Sequence, residues 1–252
     1  MKYLVGDIGN TLTKMTLTSH NFKIKKSISF ETKKLHRKKF LEKILKRLPI
    51  SQLHRKILFS SVVPTIYKNL KKFLKKKGFK VFEIKELKIK TILKIKINNF
   101  NQVGSDRLAN AIGSYDIYKK NCLVIDFGTA TTFDVVKKPW IYDGGVIAPG
   151  INLSILNLSN STEMLPFLKL SSKARAYGKN TTQAMNSGFI WGYQGLINNI
   201  IGKIISSNKL KYKIILTGGY ASLFKKYIKK KTIIDQNVTI KGVIKVYKEF
   251  LI

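Results

Sequence analysis

Only seven aspartates occur, at positions 7, 106, 116, 126, 134, 143 and 235, in a 252-residue chain with 48 lysines and arginines and 13 acids. In so basic a chain, an aspartate beside a glycine calls for a reason other than solubility. Asp7, Asp126 and Asp143 fall at strand–glycine turns, and Asp106 opens a helix two residues after Gly104. Asp7-Ile-Gly-Asn-Thr11 and Asp126-Phe-Gly-Thr129 repeat one pattern. In such a turn the glycine lets the backbone approach a phosphate. The Thr or Asn offers side-chain hydrogen bonds, and the carboxylate can hold a metal ion directly or through water. One such turn reads equally well as a plain Asx-turn. Two of them point to a phosphate clamp.

Other phosphate motifs are excluded. No G-x-x-x-x-G-K-[ST] and no G-x-G-x-x-G follows a strand. Asp126-Phe-Gly128 spells the protein-kinase triplet, but no H-R-D loop precedes it. His20, His36 and His54 lie in polar or basic stretches without ligand spacing, which argues against a zinc site.

The elements that must position these turns follow from periodicity. Residues 2–30 read as a three-strand meander, followed by a Lys-rich amphipathic helix over 34–47. A strand at 56–60 runs into Ser61-Val-Val-Pro64 and a basic helix over 65–77, with another strand at 80–84. A helix over 105–119 comes next, and then the opening pattern recurs. Strands at 122–125, 130–136 and 140–148 lead into a helix after Gly150 and a long helix near 181–206. A strand at 213–216, a helix after Gly219 and a last helix over 240–251 complete the chain. This internal repeat argues for two similar α/β domains, 1–110 and 111–252, with a cleft between them.

Composition narrows the class. The single cysteine, Cys122, sits in an apolar strand and excludes a disulfide scaffold. The first residues lack a signal-length apolar core, and the longest uncharged stretch, 180–202, is too rich in Asn, Thr, Gln and Gly for a bilayer. A soluble, cytoplasmic protein without membrane contact is expected. The net charge of +35 is the footprint of a nucleic-acid binder. Only five of the basic residues are Arg, however, and the lysines are scattered, so no specific nucleic-acid partner is expected. A nucleic-acid-binding regulator stays as a rival reading, as does a sugar kinase or polyphosphate phosphatase of related fold.

Seven motifs in order carry a resemblance over essentially the whole chain. They are Asp7-Ile-Gly-Asn-Thr11, Ser60-Ser-Val-Val-Pro64, Gly104-Ser-Asp-Arg107 with Leu108-Ala-Asn110, and Asp126-Phe-Gly-Thr-Ala-Thr-Thr132. Gly144-Gly-Val-Ile-Ala-Pro-Gly150, Gly178-Lys-Asn-Thr181 and Thr217-Gly-Gly219 complete the set. Together they resemble the type III pantothenate kinases, a branch of the acetate and sugar kinase/Hsc70/actin superfamily. The resemblance implies an α/β fold of two ribonuclease-H-like, actin-like ATPase domains. It implies ATP-dependent phosphorylation of pantothenate to 4'-phosphopantothenate, the first step of coenzyme A biosynthesis, by in-line transfer. It assigns ATP contacts to Asp7, Ile8, Gly9, Asn10, Thr11, Leu12, Thr13, Lys14 and Thr129, and a monovalent cation, potassium or ammonium, to Asp126. Pantothenate falls to Gly104, Ser105, Asp106, Arg107 and Thr181, with Asp106 as the proton acceptor. It also implies Mg2+ with ATP and a homodimer, for which the 181–206 helix is a candidate interface element.

One departure from the family pattern stands out. A Tyr seven residues before Gly104 and a Pro four before it are usual, and here those positions hold Ile97 and Phe100. That Tyr normally helps to line the pantothenate pocket.

Overall fold

The computed structural model describes residues 1–252. Strands β1 (Tyr3–Ile8), β2 (Leu12–Thr18) and β3 (Ile24–Glu31) form the opening meander, tied by antiparallel ladders. The helix expected over 34–47 is divided. A 3-10 turn, Thr32–His36, precedes α1 (Lys38–Lys46), and Arg37 between them is extended, with φ −91° and ψ 114°. Next come β4 (Lys56–Ser61), α2 (Pro64–Lys75), β5 (Lys80–Glu83), the two-residue β6 (Lys94–Ile95) and α3 (Ser105–Tyr118). Pro64 opens α2 at a position where its missing N–H is no loss.

The second set contains β7 (Cys122–Phe127), β8 (Ala130–Lys137), β9 (Ile141–Pro149), α4 (Ile151–Asn160) and the 28-residue α5 (Thr181–Asn208). It continues with β10 (Lys213–Gly218), α6 (Ala221–Lys225) and β11 (Thr232–Ile234), and α7 (Val238–Phe250) ends the chain. α3 and α5 both stop at a lysine in the left-handed conformation, Lys119 and Lys209, a common way to close a helix.

The repeat read in the sequence is a repeat of topology. The first sheet runs β3-β2-β1-β4-β5, and the second repeats that order as β9-β8-β7-β10-β11. In each, the strand bearing the aspartate lies between an antiparallel hairpin partner and a parallel neighbour. Asp7 faces Ser60 across the parallel pair, and Asp126 faces Thr217. The turns differ by one residue, so Asp7 stands opposite Lys14 where Asp126 stands opposite Thr132.

The chain divides into two compact units, residues 1–119 with 138–143 and 237–252, and residues 120–137 with 144–236. The repeat suggested a boundary near 110, but α3 and the C-terminal helix both belong to the first unit. The physical reason is the packing of α7 on α3. Gly242 lies so close to Ala109 that a Cβ there would come 2.7 Å from the Ala109 carbonyl carbon, and Gly113 would meet Gly242 N at 2.8 Å. Thr239 adds a hydrogen bond of 2.7 Å to Asn110 Oδ1. The short β6 pairs with the first residues of β9, Ile141 and Tyr142, within the same unit. Each unit has its own core. In the first, Leu4, Ile8, Ile57 and Phe59 pack with Leu70 and Leu74 of α2. In the second, Leu123, Ile125 and Phe133 pack with Ile190, Ile197 and Ile201 of α5.

Candidate functional site

The first phosphate turn is built on β1 and β2. Gly9 N donates to Leu12 O at 3.0 Å, closing the hairpin. Thr32, whose role had no signal in the sequence, pins the turn. Its N–H donates to Thr11 O at 2.9 Å, its hydroxyl donates to Gly9 O at 2.7 Å, and Thr13 Oγ1 lies 2.9 Å from the same hydroxyl. Of the eight residues from Asp7 to Lys14, Ile8 and Thr13 are buried, so their side chains serve the core and the Thr32 pin. Asn10, Thr11 and Leu12 are exposed. Lys14 reaches Asn237, donating to Oδ1 at 2.6 Å, a tether across more than two hundred residues that sequence reading could not supply.

The second constellation of this unit starts at Gly104, the residue that caps α3. A Cβ on Gly104 would collide with the Asp106 carboxylate and come 3.3 Å from Val62 Cγ1. Val62 in turn donates its N–H to Ile8 O at 3.0 Å. The Ser60–Pro64 motif therefore links the end of β1 to the start of α3, which gives that stretch a structural reason. Asp106 Oδ1 accepts the Arg107 N–H at 2.8 Å. Burial is the main influence on Asp106 and pushes its carboxyl above the ordinary aspartate range, opposed by Arg107 and Lys85. Arg107 holds its guanidinium over the ring of the fully buried Tyr142, 5.8 Å from the centroid. Tyr142 is a further residue that the sequence did not single out.

In the second unit Asp126 is the last residue but one of β7. Gly128 N donates to Ala130 O at 3.1 Å, and Gly219 N donates to Phe127 O at 3.0 Å. Gly218 has φ +84°, and a Cβ there would lie 2.6 Å from Asp126 Oδ1, so glycine is required both by conformation and by space. Gly150 receives the Thr129 turn, since a Cβ there would meet Gly128 O at 2.7 Å. The Asp126, Gly150 and Gly218 segments thus converge, leaving Thr129 exposed at the rim. Asn152, at the start of α4, is hydrogen-bonded by the Tyr220 hydroxyl.

Thr181 is the exposed first residue of α5. The helix start is fixed by Asn180, whose Oδ1 accepts the Gln183 N–H at 2.9 Å, while Gln183 Oε1 accepts the Lys179 N–H at 3.1 Å.

The donor set constrains the metal chemistry. No group of three or more His, Cys, Asp or Glu side chains is close enough to cage a metal ion. At Asp126 a single carboxylate lies among glycine-rich backbone, including the Phe127 carbonyl near Gly218. One carboxylate with carbonyl oxygens does not make a protein-only divalent site.

These motifs, carried at corresponding points of a duplicated sheet, agree with what comparison with known proteins shows. The type III pantothenate kinase family pattern matches residues 3–203. The chain belongs to that family. The type III pantothenate kinase of Pelagibacter ubique (strain HTCC1062) is 43% identical over 243 residues, 96% of this chain and 97% of that protein. Among solved structures, a Campylobacter jejuni protein described as a Baf-family transcriptional activator superposes with TM-score 0.63, 22% identity and 98% coverage of both chains. The activator of 2-hydroxyisocaproyl-CoA dehydratase from Clostridium difficile, with bound ADPNP, gives TM-score 0.59 and 12% identity over 99% of this chain and 95% of that one. At these identities the structural likeness shows the fold alone, that of the actin-like ATPases. Membership makes this type III pantothenate kinase family protein an ATP-using enzyme, for which a divalent ion such as Mg2+ accompanies the nucleotide. No helix is long and apolar enough to cross a membrane.

Proposed function

We propose that the protein transfers the γ-phosphoryl group of ATP to the primary hydroxyl of pantothenate, giving 4'-phosphopantothenate and ADP. The observation that carries this reading is the part-buried Asp106 carboxylate at the start of α3, held by the Arg107 N–H and given room by Gly104. Phosphoryl transfer is chiefly positioning and charge neutralisation. In this reading the pantothenate hydroxyl oxygen attacks the γ-phosphorus as its proton passes to Asp106. The bond from γ-phosphorus to the bridging oxygen breaks, and ADP departs with that oxygen. Gly104, Ser105, Arg107 and Thr181 bind pantothenate. Residues 7–14, with the exposed Asn10 and Thr11 foremost, and Thr129 hold the phosphates of ATP. Mg2+ supplies charge neutralisation on the triphosphate.

Three finer assignments belong to the same proposal. Asp126 supports potassium or ammonium, as the family resemblance implies. The protein works as a homodimer in the cytoplasm, and the second unit offers exposed apolar side chains for such contact, Met164 at 89% and Phe167 at 65% exposure and also Leu153 and Leu156 of α4. The positive charge binds polyanions only non-specifically.

The test is ADP release measured with and without pantothenate, in sodium and in potassium at matched ionic strength. Release that depends on pantothenate and is stimulated by potassium supports the reading. ATP turnover indifferent to pantothenate overturns it.

A further inference from the structure

β5 alternates, with Val81 and Glu83 buried and Lys80 exposed. Glu83 therefore places a carboxylate at a position that the pattern reserves for an apolar side chain. A buried carboxylate is costly unless donors surround it. Lys85 N donates to Glu83 Oε2 at 2.7 Å. Oε1 is buried without a close hydrogen-bond partner, and the other donors that favour the ionised carboxylate are the Ser105 hydroxyl and the Ser61 N–H. Burial dominates and pushes the Glu83 carboxyl above its ordinary range.

The backbone around Glu83 is firmly held. Glu86 accepts the Glu83 N–H at 3.3 Å and is itself bound by Lys71 at 2.7 and 2.8 Å. Lys85, the nearest cation in sequence, sends its ammonium to Asn101 O at 3.1 Å. A half-satisfied buried carboxylate is a poor device for stability, because an apolar side chain of similar size would serve as well or better. What the carboxylate does reach is specific. Ser61 ends β4, and Ser105 is the first residue of α3, next to Asp106.

We infer that Glu83 is a positioning residue for the phosphoryl transfer: its buried carboxylate, beside the Ser105 hydroxyl and the Ser61 N–H, fixes the first turn of α3, which carries Asp106 and Arg107, against the end of β4. The inference rests on the proposed role of the Gly104–Arg107 turn.

The experiment compares wild type, Glu83→Gln, Glu83→Ala, Ser105→Ala and the Glu83→Ala/Ser105→Ala pair. It uses steady-state kinetics with each substrate varied, and hydrogen exchange over residues 103–110. Glu83→Ala is expected to lower kcat about 10- to 100-fold, the scale of a misplaced reacting group, with KM for ATP unchanged. Glu83→Gln keeps an acceptor oxygen and is expected to stay within about threefold of wild type. Ser105→Ala also touches the proposed pantothenate site and is expected to raise KM for pantothenate, but the kcat of the double variant should fall no further than that of Glu83→Ala alone. Exchange at 105–108 should quicken in Glu83→Ala and not in Glu83→Gln, with β4 unchanged.

Wild-type kcat in Glu83→Ala, or equal impairment in the Gln and Ala variants, overturns the inference. If Glu83→Ala does not fold, Ser105→Ala removes the same contact from the other side, and wild-type kcat there overturns it equally. Failure of the functional reading shows differently, as absence of pantothenate-dependent ADP release in the wild type. The exchange pattern at 105–108 then decides the role of Glu83 by itself.

Discussion

Asp106 Oδ1 accepts the backbone N–H of Arg107 at 2.8 Å. The bond occupies one carboxylate oxygen with the helix's own first turn and fixes the plane of the group, leaving the second oxygen to take a proton. Asn at this position keeps an acceptor for the Arg107 N–H but cannot act as a base. Asp106→Asn is therefore expected to fold normally and lose about 10²- to 10⁴-fold in turnover, the usual worth of a positioned general base. Pantothenate-dependent ADP release measures it. Near wild-type turnover would reduce Asp106 to a substrate contact.

The same carboxylate predicts a pH dependence. Burial raises its pKa above the ordinary aspartate value of 3.8. A base is active when deprotonated, so a raised pKa keeps the inactive acid form present to higher pH. kcat/KM should fall as pH is lowered, with a midpoint above the ordinary aspartate value. For stability the sign is opposite to that of a salt-bridged acid. With the folded pKa above the unfolded one, the group's favourable contribution is present at low pH and lost as pH rises through the folded pKa. Asp106→Asn should then melt no lower than wild type at neutral pH. A clearly lower Tm with an acid limb at or below the ordinary value would contradict both points.

The aspartate–glycine turns, the repeat and nearly all long elements were legible because local pattern determines them. Short apolar runs marked β1 and β4, alternation marked β2 and β3, and Asp7 and Asp126 do occupy corresponding places in the two sheets. The tethers were not legible, because they depend on distant chain segments. Nothing in Thr32 or Asn237 advertises that they hold the Gly9 turn and Lys14. β6 and β11 are two and three residues long, too short for periodicity. The membership of α7 in the first unit follows from glycine-to-backbone packing on α3, which only the folded chain shows. One local signal of the buried carboxylate lies in the sequence itself: Glu83 breaks the alternation of its strand.

That packing of α7 gives a stability prediction well away from any ligand. A methyl group at Gly242 would have to push into the Ala109 backbone, which cannot move as a side chain can. Overpacking of this kind costs about 1–3 kcal/mol, so Gly242→Ala should lower the denaturation midpoint clearly. Gly192, with nothing within 4 Å of its Cβ position, is the control, and Gly192→Ala should be neutral or stabilising. Equal midpoints for the two variants would mean that α7 does not pack this way in solution.

Asp126 and Gly218 make the cation proposal testable from two sides. Asp126→Ala removes the carboxylate and should abolish any potassium response. Gly218→Ala keeps the carboxylate but puts a methyl 2.6 Å from Oδ1 and strains a backbone at φ +84°. It should weaken the potassium response and also lower stability. Rates measured across potassium concentrations at fixed ionic strength separate the two. Equal activity of the wild type in sodium and potassium would remove the ion from the mechanism.

The departure at Ile97 and Phe100 leads to a prediction about substrate affinity. Both residues line a cavity of about 480 Å³ in the first unit, with Lys90, Lys94 and a run of asparagines. The Phe100 ring is flanked by two ammonium groups, Lys90 Nζ at 4.5 Å and Lys85 Nζ at 5.5 Å from its centroid. Phe100 thus supplies aromatic bulk close to Ile97 and holds two cations beside this cavity. Ile97 keeps an apolar wall but offers no hydroxyl. Ile97→Tyr should tighten pantothenate binding by at most about two- to twelvefold, the worth of one neutral hydrogen bond. Phe100→Ala should weaken it, through loss of the wall and release of the two lysines. Calorimetric titration of pantothenate in the presence of a non-hydrolysable nucleotide measures both. No binding to the wild type, with binding gained only in Ile97→Tyr, would mean that this pocket has been reshaped for a different hydroxyl substrate.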